Sequence, residues 1–181
     1  MAVRDESSPI VRLSTRDVAP ADRLSYASWM LDSALAPSVL STPTPAKYEL
    51  DVSALALPSI AIVAAGGSPS RSIRGPSEIR RTPQRYFALA LVLSGSWNFT
   101  SLTRDRFGPG DLIFYDSRYN QDCNLLSDWN GLNLQLSEQF VRRCVPNPIV
   151  LSGLPRWPNT SSRSTRTCAM STCCSSETLT R

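Results

Sequence analysis

A mainly β fold is predicted: an antiparallel jelly-roll barrel with a flanking N-terminal helix and a short C-terminal helix. Three observations carry that expectation. Roughly seven short runs of branched and aromatic residues follow one another at close spacing, separated by Gly, Pro and Ser. Proline outnumbers glycine by 14 to 8 in 181 residues that are 41% hydrophobic, a balance suited to a loop-rich β domain. Helical periodicity survives only towards the two ends of the patterned region.

Residues 1–15 read as a lead-in with a short strand at Ile10–Leu13. Pro20 then stands in the first turn of a helix, where its missing N–H costs nothing. Leu24, Ala27, Leu31, Ala34 and Leu35 recur at spacings of three and four, and Trp29 and Met30 widen that apolar stripe until Pro37 ends it. Residues 48–57 alternate weakly and fit a strand or a short helix. Ser59–Ala65 reads as a strand closed by Gly66-Gly67. Pro69, Pro76 and Pro83 punctuate the next segment, and the restriction on pre-proline residues argues for extended pieces at 71–74 and 78–81.

Tyr86–Leu93 is the strongest strand, apolar on both faces. Trp97–Thr103 follows, with Trp97 and Phe99 on one face. Thr103–Arg106 reads as a polar connection. Gly108, Pro109 and Gly110 then reverse the chain, with Asp111 capping the turn. Leu112–Tyr115 forms a strand, and Asp116-Ser117 opens a second turn. After a short piece at Cys123–Leu126, residues 131–136 set Leu132, Leu134 and Leu136 against Asn133 and Gln135. Residues 137–145 are helical until Pro146.

Charge and residue usage exclude several chemistries. The chain is formally +4, yet four arginines against one glutamate lie in residues 156–181, so the main body is nearly neutral and net charge says little about nucleic-acid binding by the folded part. No histidine is present. That removes the Ser-His-Asp and Cys-His mechanisms and any imidazole-based metal site. The five cysteines are odd in number and lack a C-x-x-C pair, so neither a disulfide framework nor structural zinc is expected. The N-terminus has acidic residues where a secretory signal would be basic, and no apolar run is long enough to span a membrane. A soluble, cytoplasmic protein is the expectation.

Tyr86, Trp97, Phe99 and Tyr115 are the candidate lining of an interior pocket for a small ligand, since barrels of this size enclose cavities. Asp111 and Asp116 flank one short strand, but a turn-capping role accounts for both, and no catalytic residue, metal ligand or cofactor is assigned. Arg80, Arg81 and Arg85 read as a solvated loop. Gly66-Gly67-Ser68-Pro69 lacks the Lys and the following helix of a phosphate loop.

Phe87–Leu93 with Ser94-Gly95, then Phe107–Arg118, then Asn133–Leu136 resemble, in that order, the N-terminal cupin-type domain of AraC/XylS-family transcription regulators. The leading helix from Ala21 to Trp29 and the segment ending Arg80-Arg81-Thr82-Pro83 share the likeness, which covers about residues 13–150. The resemblance implies a cupin-like domain over residues 16–150 that binds a small-molecule effector and forms a homodimer, through the helix from Asp22 to Leu35 or the one starting at Ser137. Two helix-turn-helix units follow in that family. Here the chain turns instead to residues 151–181, where 12 of the last 22 residues are Ser or Thr, a composition expected to be disordered. A frameshifted or truncated reading frame and a stand-alone sensor domain both fit that tail, and neither predicts DNA binding by the chain itself. A lone carbohydrate- or lipid-binding barrel and a metal-free cupin enzyme are the alternative readings.

Overall fold

The computed structural model describes residues 10–82, 85–101 and 104–151. Eleven strands within them make two antiparallel sheets that pack face to face. The first sheet contains β1 (Val11–Ser14), β3 (Leu50–Ala56), β4 (Ile60–Gly67), β11 (Trp129–Ser137), β6 (Tyr86–Ser94) and β9 (Leu112–Asp116), in that spatial order. The second contains β2 (Val39–Ser41), β5 (Ser70–Arg74), β10 (Gln121–Leu125), β7 (Trp97–Thr100) and β8 (Arg104–Phe107). Successive strands cross repeatedly between the two sheets. This is the expected mainly β jelly-roll.

The register defines what each sheet turns inwards. In the first sheet Val63, Asn133, Ala90 and Ile113 stand side by side on the inner face. Opposite them, Leu40, Ser72, Cys123 and Phe99 form the matching row of the second sheet. Val63, Ala90, Val92, Trp97, Phe99 and Ile113 are buried in the main core between the sheets.

Helix α1 (Arg23–Ala34) closes one open edge of the barrel. Its buried residues are Ala27, Met30 and Leu31, with Leu24 and Ala34 packed beside them. Pro20 lies in a preceding 3-10 turn, Pro20–Asp22. The carbonyl of Leu35 accepts a 2.8 Å hydrogen bond from Gln135 Nε2, and Arg81 pairs with Asp32 at 3.2 Å, tying the helix end to the barrel. Trp29 departs from expectation. It is half exposed and stacks on Tyr26 outside the barrel instead of widening the core stripe.

A second, smaller core lies on the outer face of the first sheet. There α3 (Glu138–Cys144), started by a Ser137 hydroxyl accepting from the Phe140 N–H, packs against β6 and β11. Phe87 is almost wholly buried on this side and stacks on Phe114, with ring centroids 5.6 Å apart. Strand β6 is therefore apolar on both faces because one faces the cavity side and the other faces α3. Leu93, at its end, is exposed.

Several local expectations are corrected. The strand count is eleven among the described residues, not about seven, because short edge strands carry little apolar signal. Residues 104–106, expected as a connection, belong to β8, an edge strand whose ladder partner is β7. Residues 78–81, expected to be extended, fall largely in helix α2 (Pro76–Arg80): Pro76 occupies its first turn, and Glu78 Oε2 accepts from the Gly75 N–H at 2.9 Å. Strand β4 does not stop at Ala65 but runs through Gly66 and Gly67, its last two residues, which pair with Asp51 and Leu50. Residues 48–57, left open between strand and helix, supply β3. The expected disorder of residues 152–181, and Cys168, Cys173 and Cys174 within them, lie outside the described residues, as do Thr103 and Pro83.

The Phe107–Arg118 stretch forms the corner anticipated for it. The Asp111 N–H donates to the Gly108 carbonyl at 3.0 Å, closing a four-residue turn in which Gly110 takes φ +88°. Proline followed by a positive-φ glycine is the requirement of a type II turn. Asp111 Oδ2 accepts from the Gly108 N–H at 2.8 Å, so the carboxylate caps the turn.

Candidate ligand-binding site

Between the sheets, under α1, lies a cavity of about 130 Å3. All four residues singled out in the sequence, Tyr86, Trp97, Phe99 and Tyr115, line it. Each arrives by strand alternation. Tyr86 shares its face of β6 with Ala88 and Ala90, Trp97 and Phe99 lie two apart on β7, and Tyr115 is two from Ile113 on β9.

The cavity has two ends of different character. At one end Trp97 meets Trp129 edge-on, with centroids 5.5 Å apart, and each indole N–H is satisfied by a backbone carbonyl, of Ser94 and Ser68 respectively. Gly131 makes this possible. A Cβ there would stand 2.4 Å from the tip of the Trp97 ring, so only glycine leaves room for the indole.

The other end is polar. Tyr115 packs against Phe99, and its hydroxyl accepts from Asn133 Nδ2 at 2.9 Å. Arg74 and Cys123 also line the space. Asn133 reaches it because β11 is turned the opposite way from the plain reading of its alternation. Asn133 and Gln135 point inwards, while Leu134 lies on the outer face beside Ile62 and Leu89. Arg74 is not among the expected cavity residues. The signal that finds it is the alternation Ser70, Ser72, Arg74 along β5, whose three members all line the cavity.

Burial raises the pKa of the phenols of Tyr48, Tyr86 and Tyr115 and pushes the Cys123 thiol up to about 12. The Arg74 charge opposes the shift at Tyr86, and Asp122 adds to that at Cys123. Cys123 and Tyr115 retain some surface, which faces the cavity. At neutral pH these groups stay protonated, so neither the thiol nor the phenols supply a ready nucleophile or base.

This sets an alkaline limit. The unfolded chain releases its thiol proton near pH 9 and its phenolic protons near pH 10, whereas the folded chain holds them to higher pH. Stability from these groups is complete below about pH 9 and is lost as pH rises towards 12. Urea midpoints measured from pH 8 to pH 11 should therefore fall once pH 9 is passed, and Cys123→Ala should reduce the fall.

A metal centre in such a cavity would need histidine, cysteine or carboxylate ligands. This chain has no histidine, and among the described residues no three Cys, Asp or Glu side chains are grouped to hold an ion. The cavity residues do not fit such a centre. Among the described residues, no helix is long and apolar enough to cross a membrane.

No protein-family model matches the chain, and no curated protein matches it. Among solved structures, the AraC-like transcriptional activator CuxR is similar with a TM-score of 0.58 at 20% identity, over 71% of this chain and 48% of that one. The chain thus spans about half the length of that protein. Lower overlaps are found with an ethanolamine utilization protein, EutQ, from Salmonella typhimurium LT2 (TM-score 0.40, 12% identity, 49% of this chain and 69% of that one). KdgF from Halomonas sp. overlaps similarly (TM-score 0.41, 12% identity, 55% of this chain and 86% of that one). The likeness to CuxR establishes the fold. The chain has a cupin-like jelly-roll barrel, and the resemblance to the N-terminal domain of AraC-type regulators fits at that level.

Proposed function

We propose that this barrel is the effector-sensing and dimerisation module of an AraC-type transcription regulator, with Tyr86, Trp97, Phe99 and Tyr115 lining the effector site. The observation that carries the reading is the cavity itself, apolar at the tryptophan end and polar at the Tyr115–Asn133 end, inside a barrel shaped like part of CuxR. A site with an apolar body and a few convergent polar groups is the usual form of a small-molecule pocket. Protonated Tyr115 and Cys123 favour binding over turnover, since both lack the ionised form that general-base or nucleophilic chemistry needs.

Helix α1 supports a coupling role. Leu31 and Leu35 line the cavity from one side, while Trp29 presents an aromatic surface outwards, 52% exposed. Occupancy of the cavity bears directly on the helix that offers a surface to a second copy. Ligand and dimer contact would thereby bias one equilibrium.

The test is a ligand screen by thermal shift on the full chain, repeated with Ala90→Phe, which places a ring in the cavity. A ligand at about a hundred times its Kd should stabilise the protein by about 2.7 kcal/mol. The expected result is a saturable rise in melting temperature that Ala90→Phe abolishes while the variant remains folded. A rise of equal size in both proteins would remove the cavity from the reading.

A further inference from the structure

Arg74 is 3% exposed and lies on the inner face of β5 at the polar end of the cavity. Its Nη1 donates to the carbonyls of Pro37 and Glu78 at 2.9 and 3.3 Å. Its Nη2 donates to Thr82 Oγ1 and to the Ser117 carbonyl at 2.9 and 3.4 Å. All four acceptors are neutral. No ion pair among the described residues includes Arg74, although six others form there. Among the described residues Arg74 Nε has no hydrogen-bond partner, and neither does Asn133 Oδ1 across the cavity.

A guanidinium keeps its charge in any protein interior. Burying one is costly unless a counter-charge and hydrogen bonds compensate it. Here the hydrogen bonds are present, and no described residue supplies a counter-charge. The four neutral oxygens hold the group still and leave its positive charge uncancelled beside an apolar space, where attraction for an anion is little screened. The neighbouring Tyr86 phenol feels that charge, and no hydrogen bond to its hydroxyl is made among the described residues. Turned about its amide axis, Asn133 would accept from the Tyr115 hydroxyl and offer Nδ2 as a further donor.

We infer that the cavity takes a small organic carboxylate, its head group at the Arg74–Tyr86 end and its apolar body against Phe99, Ile113 and Val63. The inference rests on the reading of the cavity as an effector site and narrows its chemical class. Size narrows it further: at about 130 Å3 the cavity is close to one that admits benzene, of roughly 150 Å3, which suits a ligand of about six to nine non-hydrogen atoms.

Titration calorimetry on the full chain at pH 7 tests this with pentanoate and benzoate, each set against its neutral amide, and with toluene as a purely apolar probe. The carboxylates should bind on the order of thirtyfold more tightly than their amides, the loss expected when one partner of a buried charge pair is removed. Arg74→Gln should erase that preference. Because Arg74 also ties four oxygens together, Arg74→Lys provides a charge-retaining control that should keep the preference, and the comparison of acid with amide on the unaltered chain needs no variant. Amides or toluene binding as well as the acids would overturn the carboxylate inference and leave the cavity reading standing. Failure of all three classes to bind would overturn the cavity reading, and the inference with it.

Discussion

Phe87→Ala should cost about 3–5 kcal/mol, on the order of 10–20 °C in melting temperature for a domain of this size. The ring is 1% exposed, stacks on Phe114 and lies beneath the Arg118 guanidinium, 5.8 Å from its centroid. Truncation removes the stack and leaves a hole that the rigid ladder of β6 cannot close. The loss belongs to the outer core that seats α3, so α3 should fray ahead of the barrel. Hydrogen exchange should show faster exchange in residues 138–144 than in β7 or β10. Uniform protection in both places, with an unchanged melting temperature, would mean that the outer core contributes little.

Arg118→Met should cost about 3–5 kcal/mol for a different reason. Asp116 is 1% exposed, and Arg118 Nε donates to both of its carboxylate oxygens, at 3.0 and 2.9 Å, with Nη2 adding a further contact. Methionine replaces the hydrophobic stem and removes the charge, leaving a buried carboxylate held, among the described residues, by the Arg118 backbone N–H alone, at 2.9 Å. Stranding the buried partner is the costly half of breaking such a pair. Removing the turn cap instead, by Asp111→Ala, takes away the acceptor of the Gly108 N–H at a half-buried turn and should cost about 1 kcal/mol. Urea midpoints of the two variants should therefore separate widely. Equal midpoints would show that Asp116 is reached by water once Arg118 is gone.

The parts of the fold that were legible in the sequence are those where a single physical demand governs a run of residues. The α1 stripe must face a core, β6 must be covered twice, and Gly108-Pro109-Gly110 must reverse the chain. The four aromatic cavity residues were legible for the same reason, as large side chains repeated on inward faces. Legibility failed where two demands compete. On β11 the outer leucines are half-buried beneath α3 and its neighbourhood, while the inner positions serve a cavity with a polar end, so a polarity-based alternation points the wrong way. At α2 the proline that argued against a helix starts one. Arg74 looks like any strand-end arginine until the ladder shows that the chain around it provides oxygens from residues 37, 78, 82 and 117, all remote from β5 pairing.

The Trp97–Gly131 contact has an evolutionary consequence. Because the indole tip occupies the place of a side chain at position 131, the two positions cannot drift independently: any residue larger than glycine at 131 requires something smaller than tryptophan at 97. Sequences descended from a common ancestor of this barrel should show the two sites changing together. A lineage that exchanges the pair would reshape one end of the chamber without disturbing the hydrogen-bond ladder between β11 and β6. Such paired substitutions are a route by which one scaffold acquires new chemical tastes while its architecture stays the same.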